Sequence, residues 1–134
     1  MSLVTSSKGQ SICLVDDDDS VRGAFRFLLR THGFDVVDYA SPLALLKSEK
    51  MDGFSCYVLD MHMPTLSGLE LLNTLRKRGV RTPVVIVTGR EDSLLRTRAE
   101  AAGAAALLAK PVDSDQLVLT VRQAIAHKPQ QTLH

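Results

Sequence analysis

The sequence has no excess of charge of either sign and no long hydrophobic run. Its 16 basic and 15 acidic side chains leave a formal net charge of +1, which gives no electrostatic basis for binding nucleic acid or an anionic membrane. No apolar run approaches the roughly 20 residues needed to cross a bilayer, and residues 1–10 are polar, unlike a signal peptide. We therefore expect a cytoplasmic segment that itself contacts neither nucleic acid nor membrane.

Cysteine is scarce as well. Cys13 and Cys56 lie in separate apolar runs, whereas a metal site needs more ligands at closer spacing and a disulfide needs an oxidising compartment. Both thiols are therefore expected to be buried and unreactive. A length of 134 residues, with 45% hydrophobic and 23% charged side chains, is typical of one globular domain.

Short apolar runs alternate with helical patterns along the chain. We predict a disordered leader over residues 1–10, one domain over residues 11–127, and a polar tail or the start of a linker over residues 128–134. The predicted strands cover residues 11–15, 34–39, 55–59, 83–87 and 104–109, and each is followed by a helix. This alternation predicts a doubly wound α/β fold, a parallel sheet with helices on both faces.

Short polar residues mark where the helices begin. Asp18 and Asp19 are expected to cap the first helix, Ser41 the second, Ser67 the third, Asp92 or Ser93 the fourth and Asp113 the fifth. Their side chains accept hydrogen bonds from the first free N–H groups of a helix, which is why such residues are favoured there. We expect the second helix to end near residue 50 and the fourth near residue 102.

An aspartate at the end of a buried strand is the clearest functional feature. Apolar residues 57–59 precede Asp60, and Pro64 ends the extended segment because proline cannot donate a ladder hydrogen bond. Asp60 is therefore expected at the carboxyl edge of the sheet, where open α/β sheets bind their ligands. Taken alone, it is either an acceptor that holds the next loop or a reactive group.

Four other polar residues are expected at the same edge. Asp16 and Asp17 follow the first strand, Thr88 the fourth and Lys110 the fifth. Grouped carboxylates repel one another unless a cation lies among them, and hard oxygen ligands suit Mg²⁺, which keeps waters and binds phosphate oxygens. The grouping favours Asp60 as the nucleophile for a phosphoryl group, whose oxygens Lys110 and Thr88 would contact.

These motifs, taken in order, resemble the receiver domain of two-component response regulators, including those joined to LuxR-type helix-turn-helix domains. The resemblance runs from about residue 11 to residue 126. It implies a flavodoxin-like fold with strand order 2-1-3-4-5. The matching segments are Val15-Asp16-Asp17, Leu59-Asp60-x-x-x-Pro64, Val87-Thr88-Gly89 and Lys110-Pro111.

The resemblance implies a function in phosphorelay signal transduction. Asp60 would accept a phosphoryl group from a histidine kinase, in a self-catalysed step followed by autodephosphorylation rather than the turnover of an enzyme. Thr88 and Lys110 would contact the acyl phosphate, and a cis Lys110–Pro111 bond would aim the ammonium into the site. The implied Mg²⁺ ligands are the side chains of Asp16, Asp17 and Asp60 and the backbone carbonyl of His62. Asp16 would act mainly through water, and the His62 ring would face solvent.

Two positions depart from the family pattern or add to it. Receivers usually carry Tyr or Phe three positions before the lysine, where this chain has Leu107, so we expect the family's switch to be weaker here. Arg90, two residues after Thr88, is a candidate to reach the phosphoryl site or its mouth. Adjacent Leu94 and Leu95 cannot both face the core, so the fourth helix and fifth strand are expected to form an output or homodimer surface.

Three other functions are compatible with parts of the pattern. A flavodoxin-like mononucleotide binder needs a Ser/Thr/Gly-rich loop after the first strand, where this chain has four aspartates. A haloacid-dehalogenase-type phosphatase has a second aspartate two residues after the nucleophile, where this chain has His62. A pseudo-receiver that only binds partners would not need the complete acidic set. The sequence contains no DNA-binding segment, so we expect a stand-alone receiver or the front of a longer protein.

Overall fold

Five strands and five helices alternate in the computed structural model, which describes residues 9–49, 51, 53–90 and 92–127. Most of the predicted leader and all of the predicted tail, residues 1–8 and 128–134, lie outside the described residues. The elements are β1 (Ser11–Val15), α1 (Asp19–Thr31), β2 (Asp35–Tyr39), α2 (Pro42–Lys47), β3 (Cys56–Asp60), α3 (Gly68–Lys77), β4 (Val84–Thr88), α4 (Ser93–Ala101), β5 (Ala106–Ala109) and α5 (Ser114–Ala126).

All strand pairs are parallel, and the sheet order is β2-β1-β3-β4-β5. The predicted fold class and strand order are therefore confirmed. Every residue of β3 and β4 is buried, as expected for central strands covered on both faces. Within the described residues, no helix is long and apolar enough to cross a bilayer.

Alternate strand residues build two separate cores. One core lies between the sheet and helices α1 and α5, and the other between the sheet and helices α2, α3 and α4. Cys13 and Cys56 are buried and free, as predicted. Burial raises the pKa of both thiols, that of Cys56 to about 12, so both stay protonated and unreactive at neutral pH.

β2 and β5 begin later than predicted because the residues before them complete the preceding helices. Gly33 and Gly103 adopt positive φ angles of 93° and 90°. The next residue then turns back, so that Phe34 N–H donates to a carbonyl of α1 and Ala104 N–H to a carbonyl of α4. These are Schellman-type helix ends, and they take up residues that the apolar pattern had assigned to strands.

α2 ends three residues earlier than predicted. Ser48 is extended, and its backbone N–H and its hydroxyl both donate to the carbonyl of Leu45, at 3.0 and 2.7 Å. A local serine–backbone bond of this kind competes with helix continuation. The predicted helix starts are confirmed, because one of the expected capping side chains at the start of each helix accepts backbone hydrogen bonds from that helix.

Candidate functional site

Three carboxylates meet where β1 and β3 end. These strands are neighbours in register, with Val15 paired to Leu59, so the next residues, Asp16 and Asp60, lie side by side. One carboxylate oxygen from each of Asp16, Asp17 and Asp60 lies within 4.8 Å of the other two. Asp16 is 1% exposed and Asp60 5% exposed, whereas Asp17 is open to solvent.

Lys110, which directly follows the edge strand β5, reaches this cluster. Lys110 Nζ lies 3.0 Å from Oδ1 of Asp60 and 3.5 Å from Oδ2 of Asp16. Partial burial lowers the pKa of Lys110, but its hydrogen bond to Asp60 and the two carboxylate charges outweigh burial, so the pKa ends above its ordinary value. Lys110 is therefore a cation at neutral pH. The Lys110–Pro111 peptide bond is cis, as predicted.

One ammonium does not balance the acidic cluster. Burial raises the pKa of Asp16, and the nearby charge of Asp60 raises it further, against the opposing effects of the Asp18 N–H group and Lys110. Burial of the charge therefore costs free energy that these partners do not recover. Carboxylate oxygens are the ligands that Mg²⁺ prefers, so the donor set and the surplus negative charge both fit this ion.

Replacing Asp16 with asparagine is expected to stabilise the metal-free protein at pH 7. Burial raises the pKa of Asp16 in the folded state above its ordinary value of 3.8. Protonation of Asp16 therefore contributes its full stabilisation of the fold below pH 3.8, and this contribution is lost as the pH rises through the folded-state pKa. Asparagine stays neutral and can still accept the Asp18 N–H group at Oδ1, now 2.9 Å away. Urea denaturation in EDTA measures the change.

The matched control for this variant is Asp35→Asn, because Asp35 is exposed at the start of β2. The control is expected to leave the free energy of unfolding nearly unchanged, as surface substitutions usually do. A loss of stability in Asp16→Asn at pH 7 would contradict the electrostatic interpretation of the cluster.

Arg22 holds the loop that carries Asp16, a role that the sequence did not indicate. Arg22 of α1 donates to the backbone carbonyl of Asp16 at 2.8 Å and to Asp38 Oδ2 at 3.0 Å. Arg26, one turn later, donates to the same Asp38 oxygen at 2.7 Å. The guanidinium of Arg22 thereby ties the loop after β1 to the end of β2. The i, i+4 arginine spacing was the available signal, but its partner on β2 could not be identified from sequence.

A glycine after the site is required by space. Gly68 N–H donates to the carbonyl of Met61 at 2.9 Å, which brings the start of α3 against the end of β3. A Cβ atom on Gly68 would lie 2.5 Å from the carbonyl oxygen of Asp60 and 3.1 Å from Cα of Met61. Both obstacles are backbone atoms, which cannot swing aside as a side chain can. Gly68 therefore fixes how closely the helix approaches Asp60.

Thr88 ends β4 with its side chain fully buried. Its Oγ1 lies 2.9 Å from the carbonyl oxygen of Arg90, 3.1 Å from the Arg90 nitrogen and 3.2 Å from Nε2 of His62. The His62 side chain is exposed, as predicted, and its ring also contacts Thr88, which the sequence did not indicate. Arg90 meets Thr88 through its backbone, and the reach of its guanidinium to the site stays a prediction.

Comparison with known sequences agrees with this arrangement. A family model of the response regulator receiver domain matches residues 12–122. The transcriptional regulatory protein FixJ of Azorhizobium caulinodans is 37% identical over 118 residues, which cover 88% of this chain and 56% of that protein. The response regulator protein TodT of Pseudomonas putida strain F1 is 30% identical over 126 residues, covering 94% and 56% respectively. The chain thus spans about half the length of the curated relatives it matches.

Solved structures share the same fold. A response regulator receiver domain protein from Clostridium thermocellum superposes with a TM-score of 0.81 at 29% identity, covering 89% of this chain and 96% of that one. A DNA-binding response regulator of the LuxR family from Staphylococcus aureus has a TM-score of 0.79 at 26% identity, covering 87% and 98%. With the family model spanning most of its length and the acidic cluster in place, the chain belongs to the response regulator receiver domain family and is a two-component signalling domain rather than a conventional enzyme.

Proposed function

We propose that residues 11–127 form a cytoplasmic phosphoacceptor domain in which Asp60 receives a phosphoryl group from a histidine kinase. The observation that supports this most strongly is the Lys110 ammonium 3.0 Å from Asp60 Oδ1, beside two further carboxylates. A mononucleotide binder is disfavoured, since its phosphate would lie at the loop after β1, where Asp17, Asp18 and Asp19 are exposed and would repel it.

The side chains of Asp17 and Asp60 and the backbone carbonyl of His62 would hold Mg²⁺, and the Asp16 carboxylate would act mainly through water. When bound, the ion supplies positive charge that offsets the carboxylates and the phosphoryl oxygens. A carboxylate oxygen of Asp60 attacks phosphorus, a P–O bond forms, and the P–N bond to the donor histidine breaks. The departing imidazole is neutral once it takes a proton from water.

Two further side chains act on the transferred group. The Lys110 ammonium, already at Asp60, stays beside the phosphoryl oxygens and stabilises their charge. The Thr88 hydroxyl donates to another phosphoryl oxygen after leaving its present partners. Water later attacks the same phosphorus, which breaks the P–O bond to Asp60 and releases inorganic phosphate.

The test is Mg²⁺-dependent phosphorylation by a small donor. Wild-type protein incubated with phosphoramidate and Mg²⁺ is expected to gain one phosphoryl group by intact mass, and EDTA is expected to prevent the gain. Phosphoramidate has the same P–N bond as phosphohistidine, so no kinase is needed. An equal gain with and without EDTA, or no gain under either condition, would overturn the proposal.

We also propose that α4 and β5 form a homodimer or output surface. Leu94 is 58% exposed while its neighbour Leu95 is buried, which confirms that only one of the two leucines faces the core. Within the described residues of α4 and β5, Leu94 is the exposed large apolar side chain, and burying it against a second surface would favour association. Sedimentation with beryllofluoride, a phosphoryl mimic, is expected to show a larger mass than without it, and Leu94→Asp is expected to remove the increase.

The control for the association experiment is Leu43→Asp, since Leu43 of α2 is also exposed, at 45%. This variant is expected to associate like wild type. One monomer mass with and without beryllofluoride would count against the surface.

Leu107→Tyr is expected to strengthen the coupling between the site and α4. Leu107 is 8% exposed and packs in the same core as Leu95 and Ala99 of α4. A tyrosine has more apolar area to bury than leucine and a hydroxyl that can exchange hydrogen-bond partners. The free-energy difference between its solvent-side and inner positions would therefore be larger than for leucine. A cavity of about 250 Å³ next to it leaves room for a ring, lined by Arg96, Ala99, Glu100, Ala104, Ala105, Ala106 and Leu107.

The measurement is NMR of wild type and Leu107→Tyr, each with and without beryllofluoride. Larger chemical-shift changes over residues 92–102 are expected in the variant, because a ligand shifts a two-state equilibrium only by its differential affinity. Leu107→Ala is the control and should change the phosphorylation rate little, since Leu107 touches no reacting atom. Equal responses in wild type and Leu107→Tyr would show that leucine does not weaken the switch.

A further inference from the structure

The Thr88 hydroxyl has no hydrogen-bonding capacity left in this structure. A threonine hydroxyl has one proton to donate and two lone pairs. The proton goes to the Arg90 carbonyl oxygen, 2.9 Å away, and one lone pair accepts the Arg90 N–H group at 3.1 Å. The other lone pair faces His62 Nε2 at 3.2 Å, so this network assigns a hydrogen to Nε2.

We propose that His62 is a positioning residue that holds the Thr88 hydroxyl in this arrangement and thereby stabilises the unphosphorylated state. The inference rests on the proposed role of Thr88 as a donor to the phosphoryl group. To make that bond in this proposal, Oγ1 itself must turn toward Asp60. That rotation about the Cα–Cβ bond takes Oγ1 away from both the Arg90 backbone and the His62 ring, its present partners. The His62 hydrogen bond therefore exists in one state and is lost in the other.

The contact joins the loop after β3 to the last residue of β4. His62 lies between β3 and α3, and Thr88 ends β4. The backbone around His62 is held without the ring, because Met61 N–H donates to the Val87 carbonyl at 2.8 Å and Gly68 N–H to the Met61 carbonyl at 2.9 Å. Removing the ring thus releases Thr88 and leaves the end of β3, with Asp60, in place.

The size of the effect follows from one hydrogen bond. A single partly buried bond shifts an equilibrium by about twofold to tenfold. Losing it in the unphosphorylated state alone moves the population toward the other state by that factor. His62→Ala is therefore expected to bind beryllofluoride, in the presence of Mg²⁺, about twofold to tenfold more tightly than wild type.

The experiment follows the Thr88 methyl group by NMR at one fixed pH. In ligand-free His62→Ala, its chemical shift is expected to move toward the position it takes in wild type with beryllofluoride. His62→Gln, whose amide nitrogen can donate to Thr88, is expected to restore the wild-type beryllofluoride affinity, which does not depend on the ring current of the imidazole. His127→Ala is the control, since His127 contacts Gln123 at the far end of α5, and it should match wild type.

An unmoved Thr88 methyl in ligand-free His62→Ala overturns the inference. Tighter beryllofluoride binding with an unmoved methyl overturns it too, because the ring would then only restrict access. A gain in beryllofluoride affinity in His62→Ala that is also seen in His62→Gln would overturn the inference as well. If wild type binds no beryllofluoride, the proposed function fails. The Thr88 methyl shift in ligand-free His62→Ala, compared with that in His127→Ala, still decides whether His62 holds Thr88.

Discussion

Asp60→Asn is expected to abolish phosphorylation by phosphoramidate. The carboxamide keeps the size of the side chain but loses the negative oxygen that attacks phosphorus. Asp60 is 5% exposed and hydrogen-bonded to Lys110, and the asparagine carbonyl can accept the same bond, so the fold is expected to persist. Intact mass in Mg²⁺ and phosphoramidate should show no added phosphoryl group.

The control for this experiment is again Asp35→Asn. Asp35 begins β2, paired with Ser11, and is therefore at the opposite edge of the sheet from Asp60. This variant should gain one phosphoryl group as wild type does. A full mass gain in Asp60→Asn would mean that another side chain is the acceptor.

Gly68→Ala is expected to disturb both the site and the stability of the fold. The added Cβ would lie 2.5 Å from the Asp60 carbonyl oxygen, so α3 or the end of β3 must shift. Overpacking of this kind costs about 1–3 kcal/mol. The shift moves the Asp60 carboxylate relative to Asp16 and Asp17, so Mg²⁺ affinity is expected to fall as well. Urea denaturation and calorimetric Mg²⁺ titration measure the two effects.

Gly23→Ala is the control, because it is expected to raise the stability of the fold where Gly68→Ala lowers it. Gly23 lies inside α1, and a Cβ there would meet only Arg26, at an ordinary contact distance of 3.8 Å. Removing a glycine from a helix interior stabilises by about 0.5–1 kcal/mol. Wild-type stability and Mg²⁺ affinity in Gly68→Ala would show that the close approach to Asp60 is not required.

The placement of the site residues was predictable because parallel strands all end at one edge. Once Asp16, Asp60 and Lys110 were assigned to strand ends, the topology placed them at one edge, where Lys110 contacts both aspartates. Helix starts were predictable for a local reason, since a capping side chain bonds to the backbone two or three residues further on.

Contacts between side chains of different elements were not predictable. The contacts of the His62 ring with Thr88 and of Arg22 with Asp38 depend on how separate parts of the chain pack together, which no periodicity encodes. The need for Gly68 became visible only when the distance between α3 and Asp60 was known. Strand starts were misplaced where apolar residues such as Ala104 complete a helix instead of entering the sheet.

The most direct test of the central claim is to locate the phosphoryl group chemically. Borohydride reduces an acyl phosphate to an alcohol and releases phosphate, which converts the phosphorylated aspartate into homoserine. After phosphorylation with phosphoramidate and Mg²⁺, reduction and peptide mass mapping should therefore find homoserine at position 60 and unchanged aspartate at positions 16 and 17. Homoserine at position 16 or 17, or phosphorylated protein that yields no homoserine at position 60, would contradict the assignment of Asp60 as the phosphoacceptor.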